Sequence, residues 1–243
     1  LGSFSGIDVS GAKQQGQLLN LKAHPGDEMQ NTAHPSKNLS RILEILEQEY
    51  PEARTALQYR TPFELLLAVI LSAQTTDKQV NRITEGLFRR IQGPRDVLAL
   101  DLSQLEELVK GCGLYRQKSR QIQETSRVLL EKYNGVIPDT REKLMTLPGV
   151  GRKSANVIIS TAFGLPAMAV DTHVMRVSKR LGLARGKTPV QVEEELCRML
   201  PEESWTATHH RLIAHGRAIC RSRNPACSAC PLFPLCLHPD KPA

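Results

Sequence analysis

Leu147-Pro148-Gly149-Val150-Gly151-Arg152-Lys153-Ser154-Ala155 lies between two stretches that carry the marks of helices. Upstream, Asp139 with Glu142 has the spacing of a helix start; downstream, Ala155, Ile158, Ile159 and Ala162 recur at the helical period. Two phosphate-binding turns fail on spacing. A P-loop follows a strand and has four residues between its first Gly and a Gly-Lys pair, whereas here Arg152 separates Gly151 from Lys153 and a helix precedes. A dinucleotide-binding turn also follows a strand and needs a third small residue. What remains is a helix, a tight Gly turn and a helix over residues 139–163. Such a turn exposes unpaired N–H groups at the start of its second helix, which attracts anions. Gly149, Val150, Gly151 and Arg152 are therefore candidate phosphate contacts, although an ordinary helix connection would use the same glycines.

Charge favours the anion. The chain has 243 residues with 32 Lys+Arg against 25 Asp+Glu, a formal net charge of +7. Residues 141–187 hold nine basic and two acidic residues, and residues 204–243 hold five and one, so the rest of the chain is net acidic. A positive field concentrated in one part of a chain marks a polyanion partner, and nucleic acid leads. With 40% hydrophobic and 23% charged residues the composition excludes a disordered or collagenous chain. The longest apolar run, Leu65 to Leu71, is far below the roughly 18 residues of a membrane span. No membrane partner is expected.

Outward from the Gly turn the punctuation stays helical. Thr61-Pro62-Phe63-Glu64 places a capping Thr, a Pro at the first helical position and a Glu three residues on, ahead of that apolar run. Ser103 with Glu106 and Thr188-Pro189 with Gln191 repeat the device. Leu39, Ile42, Leu43 and Leu46 follow the 3.6 period, as do Val80, Ile83, Leu87 and Phe88. Alternating strand patterns are essentially missing, so the expected class is all-α, with about ten short helices. Residues 1–35 are rich in Gly, Gln, Ser and His without periodicity, and read as a flexible tail.

Four of the six Cys fall at Cys220, Cys227, Cys230 and Cys236, a C-x6-C-x2-C-x5-C array. That array points to a metal site. Structural zinc usually joins two close Cys pairs and this array has one, so spacing favours an iron-sulfur cluster without excluding zinc. Arg221, Arg223 and Asn224 lie between the first two ligands, on a loop such a site would pin, and are candidate phosphate contacts. Cys112 and Cys197 stand apart and read as buried packing residues.

Leu147-Pro-Gly-Val-Gly151-Arg-Lys153, followed by Val170-Asp171-Thr-His173 and the Cys array, resembles the helix-hairpin-helix DNA glycosylases of the endonuclease III type over about residues 38–236. The resemblance implies a two-lobed fold: a six-helix lobe at 55–166 containing the hairpin, and a cluster lobe made of 37–54 with 167–243. It implies a [4Fe-4S] cluster on the four Cys. It also implies bifunctional base excision repair of double-stranded DNA containing damaged bases or abasic sites. Lys153 attacks C1′ of a flipped, oxidised pyrimidine nucleotide, Asp171 assists proton handling, and the Schiff base allows β-elimination 3′ to the abasic site. Lys153 suits this from its place in the first turn of a helix, where the dipole disfavours an ammonium ion; Asp171 also reads as a helix N-cap. Gln74 and Leu114 are implied to fill the hole left by the flipped base, although by residue type they read as a helix-end polar group and a core residue. Asp77 and His173 match family positions; Asp77 reads equally well as an N-cap, and no role is assigned to His173. A monomer in a bacterial-type cytoplasm, associated with the nucleoid, is expected. The rival readings are a monofunctional adenine-mismatch glycosylase, many of which lack the Lys, and a non-catalytic DNA-binding module.

Overall fold

The computed structural model describes residues 36–238; the tail expected over 1–35 lies outside them. Among the described residues all regular structure is helical, as the sequence predicts. The helices are α1 (Ser36–Glu49), α2 (Pro62–Ser72), α3 (Asp77–Arg90), α4 (Pro94–Leu98), α5 (Leu102–Val109), α6 (Tyr115–Tyr133), α7 (Arg141–Leu144), α8 (Arg152–Ala162), α9 (Thr172–Arg180), α10 (Pro189–Met199) and α11 (Trp205–Ala218).

Helix starts follow the punctuation, with three shifts in register. Thr61 caps α2 by accepting from Glu64 N, and Thr188 forms a full capping box with Gln191 on α10. Elsewhere a neighbouring residue takes the role. Thr76, not Asp77, caps α3. Asp101 with Gln104 caps α5, and Ser103 donates its hydroxyl to Asp101 Oδ1 at 2.6 Å instead of capping. Thr140, without a side-chain bond, precedes α7 in place of Asp139.

The side chains condense into two apolar clusters. In the first, α2 is buried on all sides because α3, α6 and α8 pack around it, which explains an unbroken apolar run where a surface helix would show a stripe. The second gathers Ile42 and Leu46 of α1 with Val174 and Val177 of α9, Val192 and Leu196 of α10, and Leu212 of α11. Between α8 and α9 the chain is extended, so successive side chains alternate: Ala167 and Ala169 enter the first cluster, Met168 and Val170 the second. The Asn156 amide of α8 donates to the Met168 carbonyl at 2.8 Å and ties this segment to the hairpin. The segment thus leads from the helix that bears Lys153 to the cap that bears Asp171.

Candidate catalytic and nucleic-acid interface

The hairpin turn is held from beneath. Leu147 and Val150 are buried, and Thr125 of α6 donates its hydroxyl to the Pro148 carbonyl at 2.7 Å. Gly149 has φ +81°, where a side chain would be strained and would also press on Gln121. Gly151 is different: it caps α8 at φ −89°, and a Cβ there would meet nothing within 4 Å. Its value is the open approach to its backbone. The Val150 N–H is used by the Leu147 carbonyl, whereas no hydrogen bond engages those of Gly149 and Gly151 among the described residues. The Arg152 side chain does not face outward. Its Nε and Nη2 both donate at 2.9 Å to the carboxylate of Glu193 on α10.

Lys153 is exposed at the second position of α8, with no ion pair or hydrogen bond to its ammonium among the described residues. Asp171 caps α9: its Oδ1 accepts from His173 N at 2.8 Å and Val174 N at 2.9 Å, and Oδ2 accepts none of the described hydrogen bonds. The two do not touch as an ion pair. Two histidines of α11 feel the lysine. Burial, and then the Lys153 charge, push His210 down to about 4. Burial, with a smaller push from His210, holds His209 at about 3. The His209 ring is fully enclosed, lies 4.0 Å from the His210 ring, and neither of its nitrogens has a well-aligned partner; the Trp205 and Ala167 carbonyls lie nearest.

Gln74 and Leu114 share an uncommon feature. Among the described residues four non-glycine positions have positive φ: Gln74 (54°), Leu114 (58°), Asn134 and Asn224. Asn tolerates that region through its short polar side chain, whereas Gln and Leu do not. Both are exposed, Leu114 at 54%, so the core reading of Leu114 from its residue type is overturned. A left-handed, strained, solvent-facing Leu marks a functional position more strongly than its residue type does.

Cys220, Cys227, Cys230 and Cys236 line one pocket, together with Leu181, His215, Ile219, Pro225 and Phe233, and none is in a disulfide. Arg180 Nη1 reaches Cys220 Sγ at 3.3 Å and the Arg221 carbonyl at 2.8 Å, so α9 grips the loop carrying the exposed Arg221 and Arg223. Arg176 adds bonds to the Cys220 and Gly216 carbonyls. His215 lies between Tyr50 Oη at 3.1 Å and Cys230 Sγ at 3.6 Å. Among the described residues no three Cys, His, Asp or Glu side chains form a single-ion site. Cys112 is buried as expected, and Cys197 is half-buried.

Residues 67–202 match the HhH-GPD superfamily of base excision DNA repair proteins. Endonuclease III of Bacillus subtilis (strain 168) is 48% identical over 206 residues, 84% of this chain and 94% of the relative. Endonuclease III of Escherichia coli (strain K12) is 45% identical over 200 residues, 82% and 95% of the two chains. This chain belongs to the endonuclease III family. The fold agrees: a trapped endonuclease III–DNA covalent intermediate superposes with a TM-score of 0.81 at 47% identity, covering 85% of this chain and 97% of the other.

In this endonuclease III-family chain two buried polar groups and one ion pairing escaped sequence reasoning. Glu193 is enclosed yet holds both Arg152 and Arg141, joining α10 to both hairpin helices. Asp77 pairs with Arg217 of α11 at 2.9 Å, joining α3 to α11. Lys118 is entirely buried in α6. Only Glu193 carried a sequence signal, an acid at a position where the α10 period calls for an apolar residue beside Val192.

Proposed function

We propose that the protein is a bifunctional DNA glycosylase and abasic-site lyase that removes oxidised pyrimidines from double-stranded DNA. The observation that carries it is Lys153: an exposed amine with no partner in the first turn after an anion-binding hairpin, reached through one short segment from the Asp171 cap.

The chemistry follows from those groups. The Lys153 amine forms a bond to C1′ as the glycosidic bond breaks and its electron pair leaves with the base, which takes up a proton. Asp171 faces the developing positive charge on the sugar with the oxygen its helix does not use. Loss of the amine proton and opening of the ring give the Schiff base, which acidifies C2′. Removal of the C2′ proton then expels the 3′ phosphate. The backbone N–H groups of Gly149 and Gly151 bind the phosphodiester, with Arg221 and Arg223 as further contacts. Arg152 contributes its place at the start of α8 and serves as a strut to Glu193. Gln74 and Leu114 enter the space of the extruded base.

The cysteine array suits a [4Fe-4S] cluster, which its single close Cys pair favours over zinc. Four thiols share a pocket with largely apolar walls, and an N–H donor reaches one sulfur. Cys220, Cys227, Cys230 and Cys236 would hold the cluster, which supplies cross-linking of a short loop rich in polar residues. The two apolar clusters support lobes at 55–166 and at 37–54 with 167–243, and a protein acting on chromosomal DNA would reside in the bacterial cytoplasm with the nucleoid.

A duplex bearing one thymine glycol discriminates the readings. Strand cleavage without alkali is the expected result. Cleavage only after alkali indicates a monofunctional glycosylase, and binding without either indicates a non-catalytic module.

A further inference from the structure

Lys118 occupies an expensive position that the chemistry above does not use. Its side chain is among the largest fully buried in the protein, and burial pushes its pKa down, opposed only by the neighbouring Cys112 thiol. A Met would fill the same volume without desolvating a charge. The ammonium contacts explain its presence. Nζ donates to the Leu71 carbonyl at 2.8 Å, in the last turn of α2, and to Thr75 Oγ1 at 2.9 Å, so it grips both sides of Gln74. The Lys118 N–H donates to the Leu114 carbonyl at 3.1 Å in the first turn of α6. The two turns also touch directly, since a Cβ on Gly113 would lie 3.5 Å from the Gln74 carbonyl. One residue therefore spans the two turns whose exposed tips sit at left-handed, strained φ.

We propose that Lys118 is a positioning residue that locks the Gln74 and Leu114 turns into one rigid wedge, so that both side chains enter the duplex together when a damaged base is extruded. The proposal rests on the assignment of Gln74 and Leu114 as the groups that fill the vacated space. Strain at the two tips persists only where surrounding bonds over-determine the backbone, and the Lys118 bonds meet that requirement.

The test uses full-length protein with its visible absorbance intact and compares Lys118→Met with the parent in single-turnover excision of thymine glycol paired with adenine. Borohydride trapping on an abasic duplex, which has no base to extrude, runs in parallel. Excision should slow about tenfold while trapping changes less than about threefold. Added to the Gln74→Ala/Leu114→Ala pair, Lys118→Met should slow excision no further, because it acts through those residues. An equal loss on both substrates, or a full extra loss on top of the pair, overturns the positioning role and leaves Lys118 as a packing group. If the pair alone excises at the parent rate, the wedge assignment itself fails and the proposal with it. Should Lys118→Met not fold, Thr75→Val, which deletes one acceptor, is expected to give the same selectivity with a smaller loss; equal loss on both substrates refutes the proposal there too.

Discussion

Glu193→Gln removes the charge that ties the hairpin to α10. The carboxylate accepts two bonds from Arg152 at 2.9 Å and one from Arg141 at 3.2 Å. Removing one partner of a buried pair costs about 3–5 kcal/mol. Here Glu193 is enclosed, but the arginine side chains are 32% and 36% exposed, so water recovers part of their solvation. Gln also keeps one acceptor while turning an amide toward a guanidinium. The expected loss is ~2 kcal/mol, and at ~2–4 °C per kcal/mol for a chain of this size the midpoint falls by ~4–8 °C. Thermal melts by far-UV circular dichroism on cluster-loaded protein measure it. Glu44→Gln, which removes an exposed pair with Arg41, is the control and should cost below ~0.5 kcal/mol. Equal midpoints for Glu193→Gln and the parent would refute the strut.

Acid sensitivity follows from the α11 histidines. Folded His209 sits at about 3 and His210 at about 4, against 6.5 for an ordinary imidazole, because of burial and then neighbouring positive charge. Between those values the unfolded chain binds protons that the folded chain refuses, so stability falls as pH drops below about 6.5, by up to ~1.4 kcal/mol per pH unit for each group. Urea denaturation across this range should show the decline, and His209→Leu should remove one group's share; an unchanged slope contradicts the assignment. Gly149→Ala strains a residue at φ +81° and pushes on Gln121, so it should cost about 1–2 kcal/mol and weaken DNA binding, whereas Gly151→Ala, with open space around it, should leave stability within about 0.5 kcal/mol. Cys227→Ser should lower iron content and loosen the Arg221–Arg223 loop, read as faster backbone hydrogen exchange there. Unchanged iron and exchange would remove Cys227 from the ligand set.

Features set by local spacing were legible before the structure. The Gly turn, the α2 and α10 starts and the cysteine array each depend on residues a few positions apart, and each physical reason acts over that distance. Two caps moved to a competing acceptor one or two residues earlier, as Asp101 does before Ser103, whereas the α7 start moved one residue later, to Thr140. Residue type alone misplaces Leu114 in the core, because type reports average burial, while its exposure is set by a left-handed turn that spacing does not reveal. The partners of Lys118 and Glu193 are hidden for a different reason: they lie 41 to 52 positions away, and His209 likewise meets Lys153 of α8 and Ala167 of the extended segment, both distant in the chain.

Borohydride reduction during reaction with an abasic duplex, followed by peptide mapping of the trapped complex, tests the central claim most directly. The account predicts one covalent adduct, on Lys153, that disappears in Lys153→Ala while DNA binding and visible absorbance persist. An adduct of equal yield in Lys153→Ala, or none in the parent protein, would contradict it.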